Sequence, residues 1–307
     1  MRVQKAAKKL GYVPNLLARG LKTNRSATIG VLISDLTNPL FPPIVRGIED
    51  VLDGVGFTAL LANTDNDDAL EQRRYEALLR RGVDGFIVTT AHRQHPLFEQ
   101  AAEAGVAMVL ANRRTDSVAI PSVTSDDEAG TRSLVEHLVG LGHRRIAYVA
   151  GPQFLSTGYY RLQAFLAATH ASGLRIDDDL IVLCESFREV EGERALLRLF
   201  ESGKGFTAVV AANDLLALGC YDACRSSGVV CPDDLSIVGY NDMPFLDKLQ
   251  PALTTVRIPH YDIGAESARL LLERLTSPEA PPKSLLLNPK LVVRGSTGAP
   301  SSSPVLG

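Results

Sequence analysis

The stretch Thr28-Ile29-Gly30-Val31-Leu32-Ile33-Ser34 is an unbroken apolar run rich in β-branched residues. Such a run reads as a strand buried on both faces, which is the habit of parallel sheets. A repeating strand–helix pattern continues from it. Residues 43–55 carry helical spacing at Ile44, Val45, Ile48, Val51 and Leu52, closed by Gly54 and Gly56. Residues 57–62 form the next strand and 70–81 the next helix, stopped by Gly82. Runs 85–90, 106–111 and 145–150 are further strands, separated by helical stretches 96–104 and 128–141. This alternation predicts a parallel sheet with helices on both faces.

Gly151-Pro152 breaks the series and a second one begins: helix 159–171, strand 180–184, helix 191–201, strand 208–212, helix 215–226 and strand 235–239. One more amphipathic helix, 263–275, and a final strand, 285–294, complete the chain. The fold class is therefore α/β, with two doubly wound parallel-sheet subdomains. The segment 298–307 is rich in Pro and Ser, carries no charge and reads as a disordered tail.

At 307 residues, with 45% apolar and 22% charged residues, the chain is long enough for two ordinary globular units. No apolar run is long enough to span a bilayer, and no apolar segment follows the basic N-terminus as in a secretory signal, so a cytoplasmic protein is expected. The charge is uneven. Residues 1–25 hold seven Lys or Arg and no acid, which leaves 25 basic against 35 acidic residues in the rest. A basic arm on an acidic body suits contact with a polyanion at one end, or else is a solvated basic helix.

The four cysteines, Cys184, Cys220, Cys224 and Cys231, have no histidine close in sequence and read as buried thiols, not a metal site. Dinucleotide, phosphate-loop, nucleophile-elbow and zinc-protease motifs are all missing, so no enzyme, metal or cofactor is expected. His143 lies in a helix–strand connection, and Asp126-Asp127-Glu128 reads as a helix N-terminus. Ligands of open α/β sheets bind beyond the carboxyl ends of the strands. Polar residues recur there: Asn38, Asn63, Asp65, Thr89, Thr90, Asn112 and Arg113 in the first half, Asn213, Asp214, Asn241 and Asp242 in the second. Each alone is an ordinary turn or cap residue; together they point to a shared cleft.

Blocks in order along the chain carry a resemblance. They include Tyr12-Val13-Pro14-Asn15, Ala18-Arg19-Gly20-Leu21, Asp35-Leu36-Thr37-Asn38-Pro39, Val83-Asp84-Gly85, Ala212-Asn213-Asp214, Gly239-Tyr240-Asn241-Asp242, Leu253-Thr254-Thr255-Val256 and Val293-Arg294-Gly295-Ser296. The chain resembles the lactose-repressor (LacI/GalR-type) family of bacterial transcription regulators. The resemblance implies a fold like that of periplasmic sugar-binding proteins, with three crossings between subdomains, near residues 151, 251–256 and 281–285. It implies these domains: a headpiece and hinge remnant, 1–26; a first subdomain, 27–151 and 257–281; a second, 152–256 and 282–297. Residues 2–10 resemble the family's third headpiece helix and 14–22 its hinge helix. The first two helices, with the recognition helix, have no counterpart here. In the hinge, Ala18, Arg19, Leu21 and Lys22 would meet the minor groove, with Leu21 as an apolar wedge.

The resemblance also implies effector contacts from Phe41, Thr157, Arg161, Phe187, Asn213 and Asn241, with Asn63, Asp65, Thr90, Arg113 and Asp242 as further candidates. Many family members have Asp at the place of Asn241. Its loss, with two arginines retained, leaves surplus positive charge and favours an acidic ligand such as a sugar acid or sugar phosphate over a neutral sugar. The implied function is the effector-binding core of an allosteric, homodimeric repressor whose DNA operator affinity a small molecule controls. Helices 43–55 and 70–81 are the expected dimer contacts. The competing reading is a solute-binding protein of a transport system, against which the basic arm argues. An enzyme comes third, and only turnover of a bound ligand would establish it.

Overall fold

The computed structural model describes residues 26–301; the expected hinge contacts Ala18, Arg19, Leu21 and Lys22 lie outside the described residues. The strand Thr28–Ile33 (β1) runs inside a six-stranded sheet, second from one edge. Its alternate side chains serve two cores. Ile29, Val31 and Ile33 face one apolar cluster, while Leu32 joins Tyr75, Phe86 and Phe98 on the other face. Both faces are covered, so the run has no polar alternation.

The chain continues through helix Phe41–Asp53 (α1), Thr58–Asn63 (β2), helix Asp68–Arg80 (α2), Gly85–Val88 (β3), helix Pro96–Glu103 (α3), Met108–Ala111 (β4) and Ser122–Ser125 (β5). Helix Asp127–Gly140 (α4) leads to Ile146–Ala150 (β6), helix Ser156–Ala171 (α5), Ile181–Leu183 (β7), helix Glu189–Glu201 (α6), Ala208–Ala211 (β8), helix Asp214–Ser227 (α7) and Ser236–Val238 (β9). Thr255–Arg257 (β10), helix His260–Thr276 (α8), Ser284–Leu287 (β11) and Lys290–Val292 (β12) close the order. The first sheet runs β11-β5-β4-β3-β1-β2 and the second β7-β6-β8-β9, all parallel; β10 and β12 form a separate antiparallel ribbon.

Helix α8 returns to the first sheet and lies directly on α1. A Cβ at Gly264 would stand 1.9 Å from the Ile44 carbonyl, and one at Gly47 2.1 Å from that of Tyr261. Only glycine lets the two backbones approach so closely. Part of the surface of α1, an expected dimer contact, is thus covered within the chain.

Three expectations are corrected. The first crossing is not near Gly151: β6 sits inside the second sheet and α4 packs on α5, so the chain leaves the first sheet at Ser125–Asp126. No break in composition marks that point, because the strand–helix alternation runs straight through it. Gly151-Pro152 is instead the strand-end turn before α5. The third crossing is later than 281–285: β11 pairs in parallel with β5, and the expected strand 285–294 splits so that β12 pairs with β10. The tail is also not free from residue 298. The Gly298 N–H donates to Ser236 Oγ at 3.1 Å, and its carbonyl accepts from His143 Nε2 at 3.0 Å. His143 Nδ1 lies 2.8 Å from the Thr207 hydroxyl. With Nε2 donating, Nδ1 can accept from the hydroxyl, and burial, which lowers this histidine below its ordinary value, favours the neutral ring as a tie for the C-terminal segment.

Buried histidines set an acid limit on this fold. Burial lowers His143, His92 and His137 below the ordinary 6.5 and takes His260, whose buried Nε2 has no partner, to about 4. The folded state then holds fewer protons than the unfolded one. Stability is complete above about pH 6.5 and lost as pH falls, for His260 down to about 4. Asp214, pushed up to about 7 by burial, works in the opposite sense, gaining stability as pH falls from 7. His260→Gln is expected to flatten the decline below pH 6.5 by up to about 1.4 kcal/mol per pH unit. Urea titrations at pH 7.5 and 5.0 would show it; an unchanged slope would contradict the assignment.

Candidate ligand-binding cleft

The carboxyl ends of both parallel sheets open onto one cleft of about 470 Å3, within the range of small-molecule sites. The first sheet contributes the loop after β1 with Asp35 and Asn38, the turn Asp65-Asn66 after β2, and Asn112-Arg113 after β4. The second contributes Phe154, Thr157 and Arg161 of the β6–α5 segment, the 185–189 loop after β7, Asn213 after β8 and Asn241 after β9.

The backbone is under constraint there. Asp65, Asn66, Asn112, Asn241 and Asp242 all have positive φ, between 53° and 120°. Asn and Asp are the non-glycine residues that enter this region most readily, which is a local reason for their recurrence at these turns. Strain of this kind persists where the surroundings over-determine it and gathers at functional sites.

Arg161 is the fixed centre of the second lobe. Its Nε donates to Asp127 Oδ1 at 2.7 Å, its Nη1 donates to the Ala212 carbonyl at 2.7 Å, and its guanidinium stands 3.8 Å over the Tyr240 ring. Burial opposes the charge, yet Asp127 and Tyr240 hold Arg161 above its ordinary value. Nη2 remains for a ligand. Asn213 caps α7, its Oδ1 accepting from Leu216 N–H at 2.8 Å, which leaves its amide nitrogen for the cleft. Asn241 Oδ1 is buried without a hydrogen-bond partner. Its carbonyl-type oxygen is therefore an unsatisfied acceptor, on a residue that lines the cleft.

Arg113 is also buried, and burial lowers it to about 10. Its two terminal nitrogens reach Asn66 Oδ1 at 3.3 and 3.4 Å. Buried Glu71 offsets its charge from behind. Glu71 accepts from His95 Nε2 at 3.0 Å, and His95 Nδ1 accepts from the His92 N–H at 3.0 Å. Accepting at Nδ1 requires that nitrogen to be bare, which places the His95 proton on Nε2.

The cleft gathers eight of the expected effector residues: Phe41, Asp65, Arg113, Thr157, Arg161, Phe187, Asn213 and Asn241. Three stand elsewhere. Asn63 is a brace, its Oδ1 accepting from Leu36 N–H at 2.9 Å while its amide donates to Asp65. Thr90 is buried, its hydroxyl unpartnered, and does not line the cleft. Asp242 turns away to the ribbon, where it accepts from Arg257 Nε and Arg294 Nη2, each at 2.6 Å. Asp35, Asn66, Phe154 and Glu185 also line the cleft, although sequence reasoning did not single them out. The strand-end rule that found their neighbours could have flagged the first two.

The expected surplus of positive charge is absent. Arg161 is ion-paired with Asp127, buried Glu71 favours the charge of Arg113 through space, and the rim adds Asp35, Asp65, Glu185 and Glu189 against Arg188. The premise for an acidic ligand falls with it.

Two parallel-sheet lobes with a polar cleft at their strand ends define a ligand-binding core of the periplasmic-binding type. The family model of the periplasmic binding protein-like domain matches residues 135–297. The repressor CytR of Escherichia coli K12 is 30% identical over 97% of this chain and 87% of its own length. The ribose operon repressor of Halalkalibacterium halodurans is 34% identical over 96% and 87%, and the regulator CelR of Thermobifida fusca 35% over 96% and 88%. Among solved structures, a CelR–cellobiose complex superposes with a TM-score of 0.83 at 33% identity, covering 96% of this chain and 89% of that one. A LacI family regulator from Enterococcus faecium with bound ribose gives 0.76 at 32%, covering 89% and 99%. The chain belongs to the LacI family of transcriptional regulators.

Proposed function

We propose that this chain is the effector-binding, dimerising core of a transcriptional repressor whose affinity for its DNA operator is set by a saccharide in the cleft. The observation that carries this reading is the set of open polar groups from the second lobe, Arg161 Nη2, the Asn213 amide and Asn241 Oδ1, facing strand-end turns of the first. A ligand bridging both lobes would favour one relative placement of the subdomains, which is the coupling that allostery requires. Relatives with bound ribose or cellobiose support a sugar. Among the described residues no helix is long and apolar enough to cross a membrane.

A thermal-shift panel of pentoses, hexoses and disaccharides tests the reading. A ligand at about 100 times its Kd stabilises the folded state by about 2.7 kcal/mol, a shift of several degrees. No stabilisation by any saccharide would overturn it.

We also propose a homodimer. Strand β2 is a sheet edge, and Leu61 on it, Val55 after α1 and Leu79 on α2 are exposed apolar side chains. A bare edge with such residues needs cover. Sedimentation velocity at micromolar concentration is expected to give a dimer of this 33.0 kDa chain, and Leu61→Glu with Leu79→Glu to shift it toward monomer. A wild-type monomer would contradict the proposal.

A further inference from the structure

Past Phe154 lies a second, more open hollow of about 720 Å3. It shares Asn66 and Phe154 with the cleft, so the two are chambers of one groove with Phe154 on the partition. Phe154 is 53% exposed, with the His92 ring edge-on at 5.0 Å between centroids. One wall is a clasp between the lobes. The Arg93 N–H donates to the Phe154 carbonyl at 2.8 Å, and the Arg93 side chain donates to Asp116 at 3.1 and 2.9 Å while lying 3.5 Å over Tyr159. Those contacts occupy Arg93 and Asp116.

Other groups are available to a ligand. Asp68 is exposed and makes only a loose 3.7 Å approach to His92 Nε2. Gln94 also lines the hollow, with Asp67 beside it. A carboxylate, an amide and an imidazole accept from and donate to hydroxyls, and an open aromatic ring takes the C–H face of a sugar. With Arg93 matched by Asp116, Asp67 and Asp68 leave the chamber negative, which disfavours a phosphate or carboxylate there. At about 30 Å3 per water, the inner cleft of about 470 Å3 holds roughly sixteen waters, ample room for one hexose ring and its hydroxyls.

We propose that the effector is an extended, uncharged saccharide of at least two units, one in the inner cleft and the next in the chamber past Phe154, stacked on that ring. This rests on the cleft being the effector site.

Isothermal titration with ribose, glucose, cellobiose, maltose, cellotriose and maltotriose tests it, using the wild type, Phe154→Ala and Asp68→Asn. At least one disaccharide or trisaccharide is expected to bind about tenfold or more tightly than either monosaccharide. Phe154→Ala should remove about tenfold from that ligand, and Asp68→Asn, which lies outside the inner cleft, should weaken it while leaving the monosaccharides within about twofold. The inference is overturned if a monosaccharide binds as tightly as every longer sugar, or if Asp68→Asn weakens short and long ligands alike. If no saccharide binds at all, the effector reading itself falls and this inference with it. Melting of the variants without ligand separates a lost contact from a lost fold.

Discussion

Arg161→Ala is expected to destabilise the protein by about 3–5 kcal/mol and to weaken effector binding at least about thirtyfold. The side chain is 3% exposed and its partner Asp127 only 12%. Removing the arginine leaves a carboxylate with little water and no cation, opens the Ala212 carbonyl and strips one face of Tyr240. Burial already raises the Asp127 carboxyl above its ordinary range, and losing Arg161 raises it further. An acid whose folded value is raised is penalised as pH climbs through that value, so the loss should be greater at pH 8 than at pH 5. Removing both charges with Arg161→Met and Asp127→Leu should recover much of the stability, because the cost lies in the unpaired ion. Urea denaturation of the three variants decides the matter. A loss under about 1 kcal/mol, or a double variant no better than the single one, would mean that the pair is not the keystone of this lobe.

The features legible in the sequence are those set by local chemistry. Continuous apolar runs such as 28–34 marked parallel strands, and polar residues at their ends located the cleft from Asp65 to Asn241. The features that stayed hidden depend on partners far apart in the chain. Asp127 is 34 residues from Arg161, and its helix-start position explained it fully without that contact. Asp242 faces an arginine 15 residues away and another 52 away, so nothing near it showed that it leaves the cleft. Glu71 and His95 look like ordinary helix and loop residues until the fold brings them together behind Arg113. The hidden crossing at Ser125–Asp126 has the same origin. Asp126 caps α4, its side chain accepting from Ala129 N–H at 2.9 Å, as an uninterrupted strand–helix unit would require.

These long-range pairs also reverse the expected ligand charge. A neutral saccharide is expected to bind at least about 100-fold more tightly than the same sugar carrying a phosphate, about 2.7 kcal/mol. Arg161 is paired with Asp127 and buried Glu71 favours the charge of Arg113 through space, so a dianion would find little unmatched positive charge beyond exposed Arg188, and it would bring its own charge among Asp35, Asp65, Glu185 and Glu189. Desolvating a phosphate without a paired cation is costly. A hydroxyl, by contrast, can donate to the open Asn241 Oδ1 and accept from Asn213 or from Arg161 Nη2. Asn241→Leu should therefore cost a neutral sugar about 1–3 kcal/mol, since the hydroxyl loses its acceptor and stays buried. Asn241→Asp should hold or improve neutral binding through a charge-assisted bond and weaken the phosphorylated sugar further. Titration with matched pairs such as glucose and glucose 6-phosphate separates the two cases. Tighter binding of the phosphate would contradict this charge balance.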